Sequence, residues 1–297
     1  MEEYLESLDL GINPTTLRPM GEKGWMSDIY TARADIGEVV IHRISPVDEQ
    51  RRQRIHEKLM YVSRLLDTFS LVPKVIHAEE VDGYYVIVQE RLPGTPLGKR
   101  EVRDGRIVDE YPEGSDQILT DVEKHLRIMH GIKMQGFGFL EGTTAPYDSW
   151  FDFCRQSIRW LTMFADELTT QEFADLRRRL RRLIEENQEL LERQVSRLVH
   201  GDMVNPGNIL IKGGRVTGIL DHEWALAGDP AWEFAFTHKF PKYAYHERAS
   251  QEEIDGFERR KMIYAILWRL WGCTVHRTGP VKDILFREFR DLLCRRR

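Results

Sequence analysis

The stretch Leu198–Trp224, LVHGDMVNPGNILIKGGRVTGILDHEW, constrains the fold of this chain more than any other segment. It sets His200, Asp202, Asp221 and Glu223 among apolar runs that read as strands. Carboxylates close together near a core are costly without a cation or donors to meet them. Leu198-Val199 leads into His200-Gly201-Asp202, and a loop runs from Met203 to Gly207 before Asn208. Ile209-Leu210-Ile211, a turn at Gly213-Gly214 and the strand Val216–Leu220 then form a hairpin that ends in Asp221-His222-Glu223. Such a hairpin is expected to gather Asp202, Asn208 and Asp221 at one end of a sheet. Two carboxylates and an amide are hard oxygen ligands for Mg²⁺, with a base left over for a hydroxyl. A single Asp here would read as a turn former; two at strand ends, one after His-Gly, read as a site.

The flanking sequence gives this hairpin a setting. Residues 1–12 read as a short helix and Leu17–Ser27 as turn chemistry, with Pro19, Gly21 and Gly24. Ile29–Ala34 and Glu38–Ser45 read as strands about a turn at Asp35-Ile36-Gly37. Asp48–Phe69 carries Ile55, Leu59, Val62, Leu65 and Leu66 at helical spacing. Lys74–Glu79 and Tyr84–Gln89 read as a second strand pair about Asp82-Gly83. Arg91–Pro96 reads as a linker, and Lys99–Gln117 as a polar segment with a turn at Asp104-Gly105. Helices are expected over 118–131, 149–167, 171–196, 251–273 and 281–294.

A chain of 297 residues is long enough for one large domain or two lobes. Its net charge of −5 argues against a nucleic-acid binder as a whole. The run Arg177–Arg182 shares its helix with the apolar stripe Phe173, Leu176, Leu180, Leu183 and Ile184, and so reads as a solvated amphipathic face. Three scattered cysteines, Cys154, Cys273 and Cys294, favour a reducing cytoplasm over a disulfide framework. MEEYLESLDL has neither the basic nor the apolar region of a signal peptide, and no apolar run reaches the length of a membrane span. A cytoplasmic protein with no nucleic-acid or membrane partner is expected.

HGDMVNPGNIL, GILDHEWA and GDPAWEFA together resemble the aminoglycoside phosphotransferases and their relatives, which share the protein-kinase-like fold. LPGTPL at 92–97, LRIMHGI at 126–132 and QGFGFL at 135–140 look like the family's lesser signatures. The order GFG, DSWFDF, LVHGD is similar to the hygromycin B phosphotransferase branch. The resemblance implies an α+β bilobal fold: a small β-rich nucleotide lobe over 1–92 and a larger, mainly helical catalytic and acceptor lobe over 93–297. It implies a kinase using ATP or GTP with Mg²⁺ on a hydroxyl of an aminoglycoside-like or aminocyclitol-like acceptor. A sugar, choline, homoserine or fructosamine acceptor is the alternative, as is a pseudokinase that binds nucleotide without turnover.

By the same resemblance Asp202 is the catalytic base, His200 orients its loop, and Asp221 and Asn208 hold the metal. The family places its Asn five residues after the catalytic Asp, where this chain has Gly207, so Asn205 stays open as the alternative to Asn208. On the nucleotide side, Ser27 in Gly21–Ser27 could cap phosphates. Strand alternation puts Arg43 with Val39 and Ile41, with His42 facing the other way. Arg43 is expected to meet the phosphates and to pair with Glu57 on the next helix, with Glu49 as runner-up. Backbone groups at Glu90 and Leu92 would meet the base edge. On the acceptor side, Glu223, Asp229, Glu233 and Trp224 are the candidates, drawn from acids that would attract amines and aromatics that would stack on a sugar.

Overall fold

In the computed structural model of this chain, three hairpins turn on residue pairs that both hold positive φ: Asp82-Gly83, Asp104-Gly105 and Gly213-Gly214. Type I′ turns need that backbone, and Asp-Gly and Gly-Gly supply it at low steric cost. The structure describes residues 4–5, 8, 10–20, 27–44, 49–203, 205–236 and 249–294, without the side chains of 27, 49–54 and 56. Two compact units emerge: Met1–Thr95 with Glu141–Thr143 and Ile209–Glu223, and Pro96–Leu140 with Thr144–Asn208 and Trp224–Arg297.

The first unit is β-rich. In chain order it holds β1 (Asn13–Pro19), β2 (Ser27–Ala34), β3 (Gly37–Ile44), helix α1 (Glu49–Leu65), β4 (Val75–Val81) and β5 (Tyr84–Glu90). These strands form one antiparallel sheet in the order β1-β2-β3-β5-β4. Alternation splits its side chains. Val39, Ile41, Val86 and Val88 pack with Leu5, Ile12 and Ala32. Ile44, Tyr85 and Ile87 pack with Ile55 and Leu59 of α1. Leu17–Pro19, which read as turn, belongs to the edge strand β1. Its register slips between Asn13 and Arg18, and Pro19 closes it, which only an edge tolerates.

Beyond the short strand β6 (Thr95–Pro96), the polar segment after 98 is a hairpin, β7 (Lys99–Arg103) with β8 (Arg106–Glu110), about the expected Asp104-Gly105 turn. Then follow α2 (Asp116–Met129), β9 (Gly138–Phe139), α3 (Trp150–Gln156), α4 (Thr170–Glu185), α5 (Gln188–Glu192) and β10 (Arg197–Val199). The chain continues with β11 (Ile209–Lys212), β12 (Arg215–Ile219), β13 (Leu226–Gly228), α6 (Gln251–Val275) and α7 (Pro280–Cys294). The β11–β12 hairpin clusters with the first unit, where Ile219 N–H donates to Leu71 C=O and Thr217 Oγ1 donates to Pro93 C=O. The helix expected over 149–167 tightens into a 3₁₀ helix from Ser157 to Phe164. Ser157 Oγ donates to the Phe153 carbonyl there, a bond that competes with the helix ladder. Thr169 and Ser250 start α4 and α6 through capping boxes with Glu172 and Glu253. The arginines of the 177–182 run lie exposed on α4, opposite its buried Leu176, Leu180, Leu183 and Ile184.

In the second unit β13 lies between β10 and β9. Trp150 is fully buried and meets Trp232 edge-on at 5.8 Å. The six-membered ring of Trp150 occupies the space that a Cβ on Gly228 would need, only 2.2 Å from it. Gly228→Ala is therefore expected to destabilise the protein by about 1–3 kcal/mol, read as a lowered midpoint of thermal unfolding. An unchanged midpoint would mean that this core yields where the contact says it is tight.

Candidate active site

The loop after β10 is built around Asp202. Strand β10 delivers His200 into the interior, and the Asp202 N–H donates to His200 Nδ1 at 3.3 Å. The backbone then turns back on itself. Asn205 N–H donates to Asp202 C=O at 3.1 Å, and Asn208 N–H donates to Asn205 C=O at 3.0 Å. Pro206–Asn208 is a 3₁₀ turn. Both asparagine amides reach the same carboxylate oxygen: Asn205 Nδ2 lies 3.2 Å and Asn208 Nδ2 3.1 Å from Asp202 Oδ2. Asn208 Nδ2 also donates to the Asp202 carbonyl.

Sequence reasoning missed the group that holds the other oxygen. Arg100 Nη1 on β7 donates to Asp202 Oδ1 at 2.8 Å. Arg100 Nε and Nη2 bind Asp109 on β8 at 2.6 and 3.1 Å, and these two residues are direct cross-strand partners. Arg100 and Asp109 stand symmetrically about Asp104-Gly105, so their pairing is readable from the hairpin. The Asp202 contact spans 102 residues and has no local signal.

Two of the expected acceptor acids work inside the fold. Glu233, 2% exposed, accepts the N–H groups of Gly201 and Met203 at 3.0 and 2.8 Å. Burial pushes its carboxyl up to about 7, against the pull of these backbone donors. Asp229, 1% exposed, accepts from Ala231 N, Arg260 Nε and Tyr264 Oη, and Trp150 Nε1 donates to the same tyrosine oxygen at 2.6 Å. Their oxygens are spent on backbone and side-chain partners, which leaves them no face toward an acceptor. Glu253 is likewise committed to the α6 cap. Trp224 is half-buried and packs edge-on against Trp271 at 4.8 Å. Its carbonyl stands 2.5 Å from where a Cβ on Gly201 would lie, so Gly201 lets the loop pass close.

In the first unit, Ile209 pairs with Ile219, and Asp221 follows just past that strand. Asp221 has φ +66, a left-handed backbone that costs a non-glycine residue energy and recurs at functional sites. Glu223 is half-buried in the 3₁₀ turn His222–Trp224. Arg43 shares a face with Val39 and Ile41 as expected, but α1 packs on the opposite face. The Arg43–Glu57 pair therefore does not form. Arg43 sits 3.9 Å from Asp28 and lies 3.6 Å over the Tyr84 ring, and the exposed Glu57 approaches Gly142 instead. The helix-facing position on β3 belongs to His42, which meets Gln89 at 3.0 Å and whose imidazole burial pushes down to about 4. Glu90 N–H is spent on Lys74 C=O, whereas Leu92 N–H has no backbone partner among the described residues. Ser27's side chain, Gly21–Met26 and Glu49's side chain lie outside the described residues.

Among the described residues no group of three His, Cys, Asp or Glu is placed to hold a metal, and no helix is long and apolar enough to cross a membrane. The family model for the phosphotransferase enzyme family matches residues 21–266. No curated protein matches the chain. The fold is similar to that of a thermostable mutant of aminoglycoside phosphotransferase APH(4)-Ia solved in ternary complex with AMP-PNP and hygromycin B. That likeness has 20% identity and TM-score 0.74, over 99% of this chain and 97% of that one. It is also similar to a Plasmodium vivax ethanolamine kinase, at 13% identity and TM-score 0.60, over 98% and 84% of the two chains. The chain has the protein-kinase-like fold and belongs to the phosphotransferase enzyme family, as a kinase of small molecules.

Proposed function

We propose that this kinase transfers the γ-phosphoryl group of ATP or GTP to a hydroxyl of an aminoglycoside-like or aminocyclitol-like acceptor, with Asp202 as the base. One observation carries the reading. A carboxylate stands at the end of a buried strand with its backbone pinned by Glu233 and its oxygens met by Arg100, Asn205 and Asn208. Held so, Asp202 orients an acceptor O–H and accepts its proton as the phosphoryl group leaves the nucleotide. His200 supports the loop from beneath through the Asp202 N–H. The likeness to a protein bound to AMP-PNP and hygromycin B supports a nucleoside triphosphate and a polyhydroxyl acceptor. The likeness to an ethanolamine kinase supports the alternative of a smaller amino alcohol.

Amide and carboxylate oxygens are hard donors of the kind that Mg²⁺ takes. Asn208 spends its Nδ2 on Asp202, which leaves its Oδ1 for a metal; in the first unit, the exposed Asp221 is the carboxylate we propose as a ligand. Mg²⁺ commonly takes one or two protein oxygens and completes its shell with phosphates and water. When bound, it would neutralise charge on the nucleotide phosphates. Leu92, whose N–H has no backbone partner among the described residues, is the candidate for the base edge. Asp221→Ala is expected to remove the Mg²⁺ dependence of nucleotide binding in a calorimetric titration; an unaltered metal dependence would refute its ligand role.

The acceptor is decided by transfer of radiolabelled γ-phosphate from ATP and from GTP to a panel of aminocyclitols, neutral sugars, nucleosides, choline and ethanolamine. Labelled aminocyclitol is the expected product. Labelled choline or ethanolamine with unlabelled aminocyclitol would replace this reading by the amino-alcohol one.

A further inference from the structure

We propose that Arg100, carried by the β7–β8 hairpin and fixed by Asp109, is a positioning residue that locks the orientation of the Asp202 carboxylate; this rests on the reading of Asp202 as the base. The torsion that rotates an aspartate carboxylate is broad and nearly two-fold. Asn205 and Asn208 grip only Oδ2 and leave that rotation open. A donor on Oδ1 closes it, and Arg100 is that donor, at 2.8 Å. With two donors on Oδ2 and one on Oδ1, the lone pair left for an acceptor hydroxyl has a fixed direction.

The hairpin is built to hold the guanidinium still. Two of the three nitrogens are spent on Asp109 in a fork-to-fork pair, the geometry that arginine supplies and lysine does not. Arg100 is 18%, Asp109 10% and Asp202 13% exposed in their side chains, so solvent screens this chain of charges little. The hairpin root is tied to the catalytic loop, where Gly98 N–H donates to Pro206 C=O at 3.3 Å. A Cβ on Gly98 would lie 1.9 Å from the Glu110 carbonyl, so only glycine fits at that root. At the tip, Arg287 of α7 donates to the Gly105 carbonyl. The guanidinium also rests 4.8 Å over the Phe236 ring.

Among the described residues, few groups face the pair. Tyr111 approaches Asp109, Arg100 and Asp202, Glu233 lies beneath the loop, and His276 at the end of α6 faces Arg100. Burial, then Arg100, push the His276 imidazole down to about 4, so it adds no second positive charge near neutral pH. Among the described residues Arg100 is the cation that meets Asp202.

The test has one arm that needs no turnover. In protein labelled with ¹⁵N-arginine, the resonance of Arg100 Nη1–H, the group that donates to Asp202, is assigned by its loss in Arg100→Lys. It is expected to exchange slowly with water and to move in Asp202→Asn. The second arm is transfer kinetics. Arg100→Ala is expected to lower kcat by about 10- to 100-fold with KM for ATP little changed, since loss of near-attack geometry costs on this scale. Added guanidinium ion should recover part of the rate, and Arg100→Lys should fall between the two, because it keeps the charge and loses the fork. Asp109→Asn, which leaves Arg100 in place, should show a smaller loss of the same kind. A fast-exchanging Arg100 signal unmoved in Asp202→Asn overturns the proposal, as does an Arg100→Ala enzyme as fast as or faster than the parent. A loss that guanidinium does not touch and that falls on KM also overturns it. If Arg100→Ala fails to fold, Arg100→Lys and Asp109→Asn decide. If no acceptor is phosphorylated, the base reading of Asp202 fails, while the resonance arm still decides whether Arg100 and Asp202 are bonded.

Discussion

Glu233→Ala lowers the unfolding midpoint by on the order of 10 °C and lowers phosphoryl transfer with it. The wild-type carboxylate accepts the N–H groups of Gly201 and Met203, which flank Asp202, from a site 2% exposed. Alanine leaves both donors buried without acceptors, at roughly 1–3 kcal/mol each, and opens a small cavity. For a chain of this size each kcal/mol moves the midpoint by about 2–4 °C. The same residue ties stability to pH. Burial raises its carboxyl from 4.5 to about 7, so the folded state binds the extra proton between those values. The stability from that proton is full below the unfolded value and is lost as pH rises through about 7. Glu233→Gln removes this titration and should flatten the fall in stability between about pH 4.5 and 7. A Glu233→Ala midpoint within a degree of the parent, or a Glu233→Gln pH profile that matches the parent's, would remove Glu233 from its place beneath the loop.

Asp202→Ala lowers phosphoryl transfer by about 10²- to 10⁴-fold, the range that general-base catalysis supplies. Stability should change less than in Glu233→Ala, because Asp202 is 13% exposed and two of its donors keep other partners, Arg100 on Asp109 and Asn208 on the backbone carbonyl of residue 202. Arg100 keeps Asp109 as its partner in the variant, so no buried guanidinium is left alone. The loss should therefore fall on kcat rather than on folding. Equal loss of folded protein and of activity would make Asp202 a structural aspartate.

The parts of this fold that could be read from sequence are those fixed by neighbours in the chain. Asp82-Gly83, Asp104-Gly105 and Gly213-Gly214 marked three turns because few other pairs hold two successive positive φ angles. Alternation placed Val39, Ile41 and Arg43 on one face of β3, and the structure agrees. Which face a helix then covers is a tertiary choice that alternation does not encode, and α1 took the His42 and Ile44 side. The expected Arg43–Glu57 pair failed for that reason. Asp229 and Glu233 show the same limit. GDPAWEFA displays two acids, but their burial follows from the packing of α6 and of the loop around Asp202. Arg100 lay in a polar segment whose hairpin turn was legible and whose target, 102 residues on, was not.

The most direct test of the central claim pairs two readings on the same samples of wild type and Asp202→Ala. One is calorimetric binding of ATP in the presence of Mg²⁺; the other is transfer of radiolabelled γ-phosphate to the acceptor that the panel identifies. Both proteins are expected to bind nucleotide alike, and the wild type alone to yield labelled acceptor at an appreciable rate. Transfer by Asp202→Ala at the wild-type rate, or loss of nucleotide binding in step with transfer, would contradict the assignment of Asp202 as the base.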